Sequence, residues 1–315
     1  MVRYHPTIMR KLRWTGGVAL LSLIALALAG VRCDRSAADV EARLATTPSR
    51  FVEVDGLRVH YRDRGAGPAI VLLHGSNSSL FTWEGWALDL ARDHRVVTLD
   101  LPGHGLTGPD PRERYRPADM AAFVDAFVAT LGLSRFSMAG NSMGGSVAWR
   151  YAILHPEKVE RLILVDSAGL PREEPQPFAF RLFTMPLTGR LVRWISPRFL
   201  VAKSLRDAYG DPSRVTDRLI DLYDDILLRA GNREATRRRF RAGGDDGMVA
   251  RLGEIRVPTL ILWGSRDRFI LPKYGQRFHA AIAGSELVML DGLGHVPMEE
   301  DPQRTVAEVL RFLKR

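Results

Sequence analysis

The 315-residue sequence predicts an α/β protein: a mostly parallel, doubly wound sheet with a helical cap-like insertion late in the chain. Three observations carry that expectation. The continuous apolar run Ala69–Leu73 has the pattern of a strand buried on both faces, and Arg95–Leu99 reads as another buried strand. They alternate with helix-periodic segments at the spacing of βαβ units. Between Pro171 and Gly247 that alternation stops: Pro171, Pro175 and Pro177 break regular structure, and Phe178–Phe240 reads as helices.

In order, Phe51–Val54 and Leu57–Tyr61 alternate apolar and polar residues around Asp55-Gly56, a hairpin signal. After the turn Gly65-Ala66-Gly67-Pro68 comes the buried strand Ala69–Leu73, running into His74-Gly75-Ser76-Asn77-Ser78-Ser79. Trp83–Arg92 is expected as helix, Arg95–Leu99 as strand and Pro117–Leu131 as helix, with Phe123, Phe127 and Leu131 on one face. Phe136–Asn141 is a strand, Ser146–Leu154 a helix and Arg161–Val165 a strand. The alternation resumes with strand Val257–Trp263, helix Pro272–Ile282, strand Glu286–Leu290 and helix Pro302–Leu313. The expected organisation is an N-terminal segment over residues 1–35, a linker over 36–50 with a short helix at Ala37–Leu44, a core over 51–170 and 248–315, and a helical cap over 171–247.

Trp14–Val31 is an uncharged run rich in Leu and Ala that follows Arg10, Lys11 and Arg13. As a helix it would be about 27 Å long, near the hydrocarbon thickness of a bilayer. The flanking positive charges point to a cytoplasmic N-terminus and an exported, periplasm-like catalytic body on a single-pass anchor. Ala27-Leu28-Ala29 also fits a cleavage site, which would make the segment a signal peptide and the protein secreted. The first 35 residues hold six of the basic residues and one Asp, so they account for +5 of the net charge of +9. The remaining +4 is too weak a bias to indicate nucleic-acid binding. A single cysteine, Cys33, excludes an intrachain disulfide.

The chemistry centres on Gly140-Asn141-Ser142-Met143-Gly144, a G-x-S-x-G pattern between a strand and a helix. A serine hydroxyl needs a base, and His295, in the glycine-punctuated loop after the last strand, is the candidate. The base needs an acid to fix its tautomer. Asp267 at the carboxyl end of the preceding strand is favoured by the order Ser…Asp…His, with Asp166 the alternative. The backbone N–H of Met143, next to the nucleophile, and of Ser76, after His74-Gly75, are the expected oxyanion donors. His74 itself is expected to be structural. No ligand-spaced metal cluster and no phosphate-cradling loop is evident, so neither metal nor cofactor is expected.

Together, His74-Gly75, Asp100-Leu101-Pro102-Gly103-His104-Gly105, Gly140–Gly145, Trp263-Gly264 with Asp267, and Gly294-His295 resemble the α/β-hydrolase fold superfamily over about residues 51–170 and 250–315. The resemblance implies a Ser142–His295–Asp267 triad, an oxyanion hole at Ser76 and Met143, and a cap over the site. Within the superfamily, Gly140–Gly145, Trp263-Gly264 with Asp267-Arg268-Phe269, and Asn232-Arg233-Glu234 look like the meta-cleavage-product hydrolases, which cut C–C bonds in vinylogous diketo acids. That likeness implies substrate contacts at Arg233 and Asn141. Ser-Asn-Ser-Ser after His74-Gly75 and Val296 after His295 depart from that group's pattern. The expectation is therefore a serine hydrolase acting on a carboxylic ester with an apolar moiety, with C–C hydrolysis the alternative and a non-catalytic ligand-binding member of the fold a third reading. Phe178, Phe180, Leu182, Phe183, Met185 and Trp194 are the residues expected to receive the apolar moiety.

Overall fold

In the computed structural model, residues 30–175, 185, 194–243 and 246–315 are described. The chain begins with helix α1 (Ala37–Leu44), then the hairpin β1 (Ser49–Val54) and β2 (Leu57–Arg64). Asp55 and Gly56 both have positive φ, 51° and 78°, which gives the tight turn its hand. Then follow β3 (Ala69–Leu73), α2 (Glu84–Leu90), β4 (Arg95–Leu99), α3 (Pro117–Thr130), β5 (Phe136–Asn141), α4 (Met143–Leu154) and β6 (Val159–Val165). The insertion contributes α5 (Arg198–Ala208), α6 (Asp217–Leu228) and α7 (Asn232–Arg241). The chain closes with β7 (Thr259–Gly264), α8 (Lys273–Ala281), β8 (Glu286–Leu290), α9 (Pro297–Glu300) and α10 (Pro302–Leu313).

The eight strands form one sheet in the order β1-β2-β4-β3-β5-β6-β7-β8. β3 to β8 are parallel, whereas β2 runs antiparallel to both β1 and β4. Side chains alternate across the sheet, so each central strand feeds two cores. Val71 and Leu73 pack with Phe123, Phe127, Val147 and Tyr151 of α3 and α4 on one face. Ile70 and Leu72 pack with Trp83, Trp86, Val306 and Phe312 on the other. This double burial explains why β3 reads as an unbroken apolar run.

Strand order reverses around β3, so the carboxyl ends of β3, β5, β6 and β7 form the crevice where open α/β sheets place their ligands. The insertion leaves the sheet after β6 and re-enters it at β7. Phe178, Phe180, Leu182 and Phe183 lie outside the described residues, as does nearly all of Trp14–Val31. Met185 and Trp194 are 47% and 49% exposed, so as placed neither lines a closed pocket. Among the described residues, no helix is long and apolar enough to cross a membrane.

The stretch before α1 is not a free linker. Arg32 N–H donates to Trp194 O, Arg35 N–H to Leu228 O, and Ala230 N–H to Arg35 O. Arg32 makes a two-pronged contact with Asp224, at 2.5 and 2.8 Å, and Arg35 pairs with Asp225. Residues 30–35 thus run along the cap, fastened by backbone and charge together.

Candidate active site

Ser142 sits between β5 and α4 with φ 52° and ψ −113°, outside the torsions that residues with a Cβ prefer. Its neighbours show how the turn is tolerated. A Cβ on Gly140 would lie 2.3 Å from Gly144 O, and one on Gly144 would lie 2.2 Å from Leu73 O. Both positions therefore exclude every other residue, and α4 starts at Met143, three residues earlier than periodicity alone suggests. Gly75 brings the β3 loop against the elbow, since a Cβ there would be 3.3 Å from Ser142 Cβ. Ser76, Asn77, Ser142 and Met143 keep partial exposure while Gly75, Ser78, Asn141 and Gly144 are buried. The open patch is centred on the serine.

His295 Nδ1 lies 2.8 Å from Asp267 Oδ2, and both residues are buried. Asp267 Oδ1 accepts N–H bonds from Phe269 at 2.7 Å and Ile270 at 3.0 Å. This carboxylate is pinned at both oxygens, so it orients the imidazole and leaves Nε2 as the nitrogen free for proton transfer. Ser142 Oγ and His295 Nε2 share no hydrogen bond among the described residues. The N–H groups of Met143 and Ser76 donate to no other group among the described residues, as oxyanion donors must.

Asp166, the alternative acid, lies beside Asp267 rather than in its place. Its Oδ1 accepts Gly264 N–H at 2.9 Å and its Oδ2 is buried. Burial first, and the neighbouring Asp267 second, hold its carboxyl well above the usual range. Asp166, Asp267 and His295 bring one ligand-type atom each within 4.8 Å of one another. With Asp267 already accepting three hydrogen bonds, the cluster is better suited to holding an imidazole than an ion.

Two expected substrate contacts are corrected. Asn141 is buried, and its Nδ2 donates to Val165 O at 3.1 Å and His295 O at 3.0 Å. It ties the histidine loop to β6. Arg233 is 2% exposed; it binds Asp34 Oδ1 at 2.6 and 3.0 Å, Arg32 O at 2.7 Å and Ser196 Oγ at 3.2 Å. Its donors hold the N-terminal stretch to the cap, which leaves it no fork for a substrate carboxylate. His74 is structural: Nδ1 donates to Gly75 O at 2.7 Å and Nε2 accepts Leu101 N–H at 3.0 Å.

Sequence reasoning missed two features. The first is a clasp between cap and histidine loop. His295 N–H donates to Ala208 O at 2.6 Å, and Glu300 accepts from Gly210, Asp211 and Gly294 N–H at 3.0, 2.8 and 2.8 Å. A Cβ on Gly294 would be 2.2 Å from Ala208 O, so the two backbones meet directly. The signal was Gly294 just before the histidine, which marks close backbone approach. The second is another Ser–His–Asp chain. His60 Nε2 lies 2.9 Å from Ser49 Oγ and its Nδ1 2.7 Å from Asp100 Oδ2. Ser49, however, sits on an edge strand, and Arg62 Nε also donates to its Oγ at 3.3 Å. Unlike Ser142 it has neither a strained turn nor paired N–H donors beside it, and Asp100 is occupied by Leu80 and Leu106 N–H.

Comparison with known proteins agrees with this geometry. Residues 70–309 match the model of the Alpha/beta hydrolase family. The chain is 30% identical over 283 residues to a 2-hydroxy-6-oxononadienedioate/2-hydroxy-6-oxononatrienedioate hydrolase of Klebsiella pneumoniae, covering 85% of this chain and 96% of that protein. Among solved structures, a membrane phospholipase A described as a bacterial virulence factor superposes with TM-score 0.73 and 27% identity, covering 98% of this chain and 96% of that one. A meta-cleavage product hydrolase from Pseudomonas fluorescens gives TM-score 0.74 at 21% identity over 84% of this chain and 97% of its own, a likeness of fold. With a doubly wound sheet, a nucleophile-elbow turn and a family match over most of its length, the chain belongs to the alpha/beta hydrolase family, as a hydrolase of that fold.

Proposed function

We propose that the protein is a serine hydrolase that cleaves a carboxylic ester. The observation that carries this is the placement of a strained Ser142 between two unspent N–H donors, with the His295–Asp267 pair at the neighbouring strand ends. His295 Nε2 takes the Ser142 proton as Oγ attacks the carbonyl carbon, and the Met143 and Ser76 N–H groups hold the oxyanion. The imidazolium then protonates the departing alkoxide, leaving an acyl-serine. Water, deprotonated by His295, attacks that ester; the proton returns to Ser142 and the acid is released.

The ester reading is supported over C–C cleavage by the commitment of Arg233 to Asp34 and of Asn141 to the His295 loop. C–C hydrolysis stays as the second reading because of the Klebsiella relative's named activity. Turnover of p-nitrophenyl esters of graded chain length, set beside a vinylogous diketo acid, separates the two. The ester reading expects the esters to be preferred and Arg233→Ala to lower kcat/KM on them by less than about tenfold, while trypsin cuts residues 30–36 faster. A diketo acid preference that Arg233→Ala removes would overturn it.

We further infer that residues 1–35 anchor the enzyme in a membrane with the body exported. The support is the uncharged Trp14–Val31 run behind three basic residues, and the 98% coverage of this chain by a membrane phospholipase A fold. A chain lacking residues 1–29, which keeps the cap contacts of Arg32, Asp34 and Arg35, should leave the membrane fraction; its retention there would refute the anchor.

A further inference from the structure

Helix α7 carries five arginines, and their partners divide them. Arg233 binds Asp34, Arg237 binds Glu234, and Arg238 binds Glu234 and Glu113. Arg241, at the helix end, is exposed. Arg239, half-buried, reaches instead toward the loop after β3: its Nη1 donates to Ser76 Oγ at 2.6 Å, and its Nη2 lies 3.5 Å from Asn77 Oδ1. No carboxylate lies within ion-pair distance of it among the described residues, and its Nε is buried without a partner. The groups facing it offer no countercharge. His74 and His104 are held neutral chiefly by burial, and burial pushes the Tyr115 hydroxyl up. Burial also pulls Arg239 down to about 10, which still leaves it charged at neutral pH.

A guanidinium drawn out of water without an anion is costly, whereas a carboxylate or phosphate oxygen brought to it forms a charge-assisted bond. Arg239 touches the side chain of the same residue whose N–H is the proposed oxyanion donor. We propose that Arg239 is the anion-recognition residue of the active site, selecting esters that carry a carboxylate or phosphate close to the scissile carbonyl. With hydrogen bonds of about 3 Å on either side of Ser76, the anion sits roughly 5–8 Å from the carbonyl oxygen, or about four to six bonds along the substrate. An ester of a short dicarboxylic acid meets that spacing, and so does an acyl ester of a glycerol phosphate. This site is distinct from Arg233, whose donors are consumed. The proposal rests on the serine-hydrolase reading above.

Two matched pairs of substrates test it. Mono-p-nitrophenyl glutarate is compared with p-nitrophenyl valerate, and dihexanoylphosphatidylglycerol with dihexanoylglycerol. The wild type should favour the anionic member of at least one pair, and the pair concerned identifies carboxylate or phosphate. Arg239→Gln keeps an amide donor for Ser76 but no charge, and should lower the anionic-to-neutral ratio of kcat/KM at least tenfold, mainly through KM. A mere support for Ser76 would depress both members alike, leaving the ratio unmoved and overturning the proposal. The wild type alone gives a second reading: inorganic phosphate or glutarate should slow the labelling of Ser142 by a neutral fluorophosphonate. If neither anion protects, and neither pair shows a preference, Arg239 is not an anion site. Failure of wild type to label at all would instead refute the serine nucleophile.

Discussion

Asp267→Asn is expected to lower kcat by roughly 10⁴-fold, the scale seen when a triad acid is replaced by its amide. Asp267 Oδ2 accepts from His295 Nδ1, and Oδ1 accepts two backbone N–H groups. The two N–H donors require the amide oxygen at Oδ1, so the Nδ2 group faces His295 and forces the wrong tautomer. Asp166→Asn should behave differently, because burial and the neighbouring Asp267 hold the Asp166 carboxyl well above the usual range. An asparagine there can accept from Gly264 and donate toward Asp267. A carboxyl whose folded pKa is raised binds more protons in the folded than in the unfolded chain, so its contribution falls as pH rises above the ordinary aspartate range up to the folded value. Asp166→Asn removes that loss. Its melting temperature should equal or fall below wild type in acid and exceed it increasingly toward alkaline pH. Thermal unfolding between pH 4 and 9 checks this; parallel curves would show that the Asp166 carboxyl is not raised in the folded chain.

Glu300→Ala is expected to be the most destabilising single change at the cap–core junction. It strips the acceptor from two buried N–H groups, of Gly210 and Gly294, at about 1–3 kcal/mol each for a donor left unsatisfied, and from the more exposed Asp211 N–H. The loss should be about 3 kcal/mol or more, which for a domain of this size lowers the melting temperature by several degrees. Because Gly294 N–H precedes His295, and His295 N–H is held by Ala208 O, kcat should also fall, by roughly 10²-fold. Glu300→Gln offers one oxygen where two directions need acceptors, and should fall between alanine and wild type. Activity that survives Glu300→Ala undiminished would mean that the histidine loop holds its shape without the cap.

The sheet was legible because double burial writes itself locally. Ala69–Leu73 and Arg95–Leu99 appear as strands with the expected bounds, and the partly exposed edge strand Glu286–Leu290 was found by its flanking turns and the resumed alternation instead. The residues proposed for the triad were findable because each follows a strand in a short glycine-bearing segment. What was not legible is who partners whom across long separations. Arg233 and Asp34 lie 199 residues apart, and Asn141 and His295 lie 154 apart, so no local pattern distinguishes a structural clamp from a substrate contact. Arg239 was hidden for the same reason. In sequence it is one of a basic run on a helix, and only the position of Ser76 singles it out.

The account stands on Ser142 as nucleophile, and covalent labelling with a fluorophosphonate probe tests that most directly. The folded wild type should be labelled at one site, Ser142→Ala should not be labelled, and Ser49→Ala should be labelled like wild type. An unlabelled wild type, or label persisting in Ser142→Ala and lost in Ser49→Ala, would contradict it.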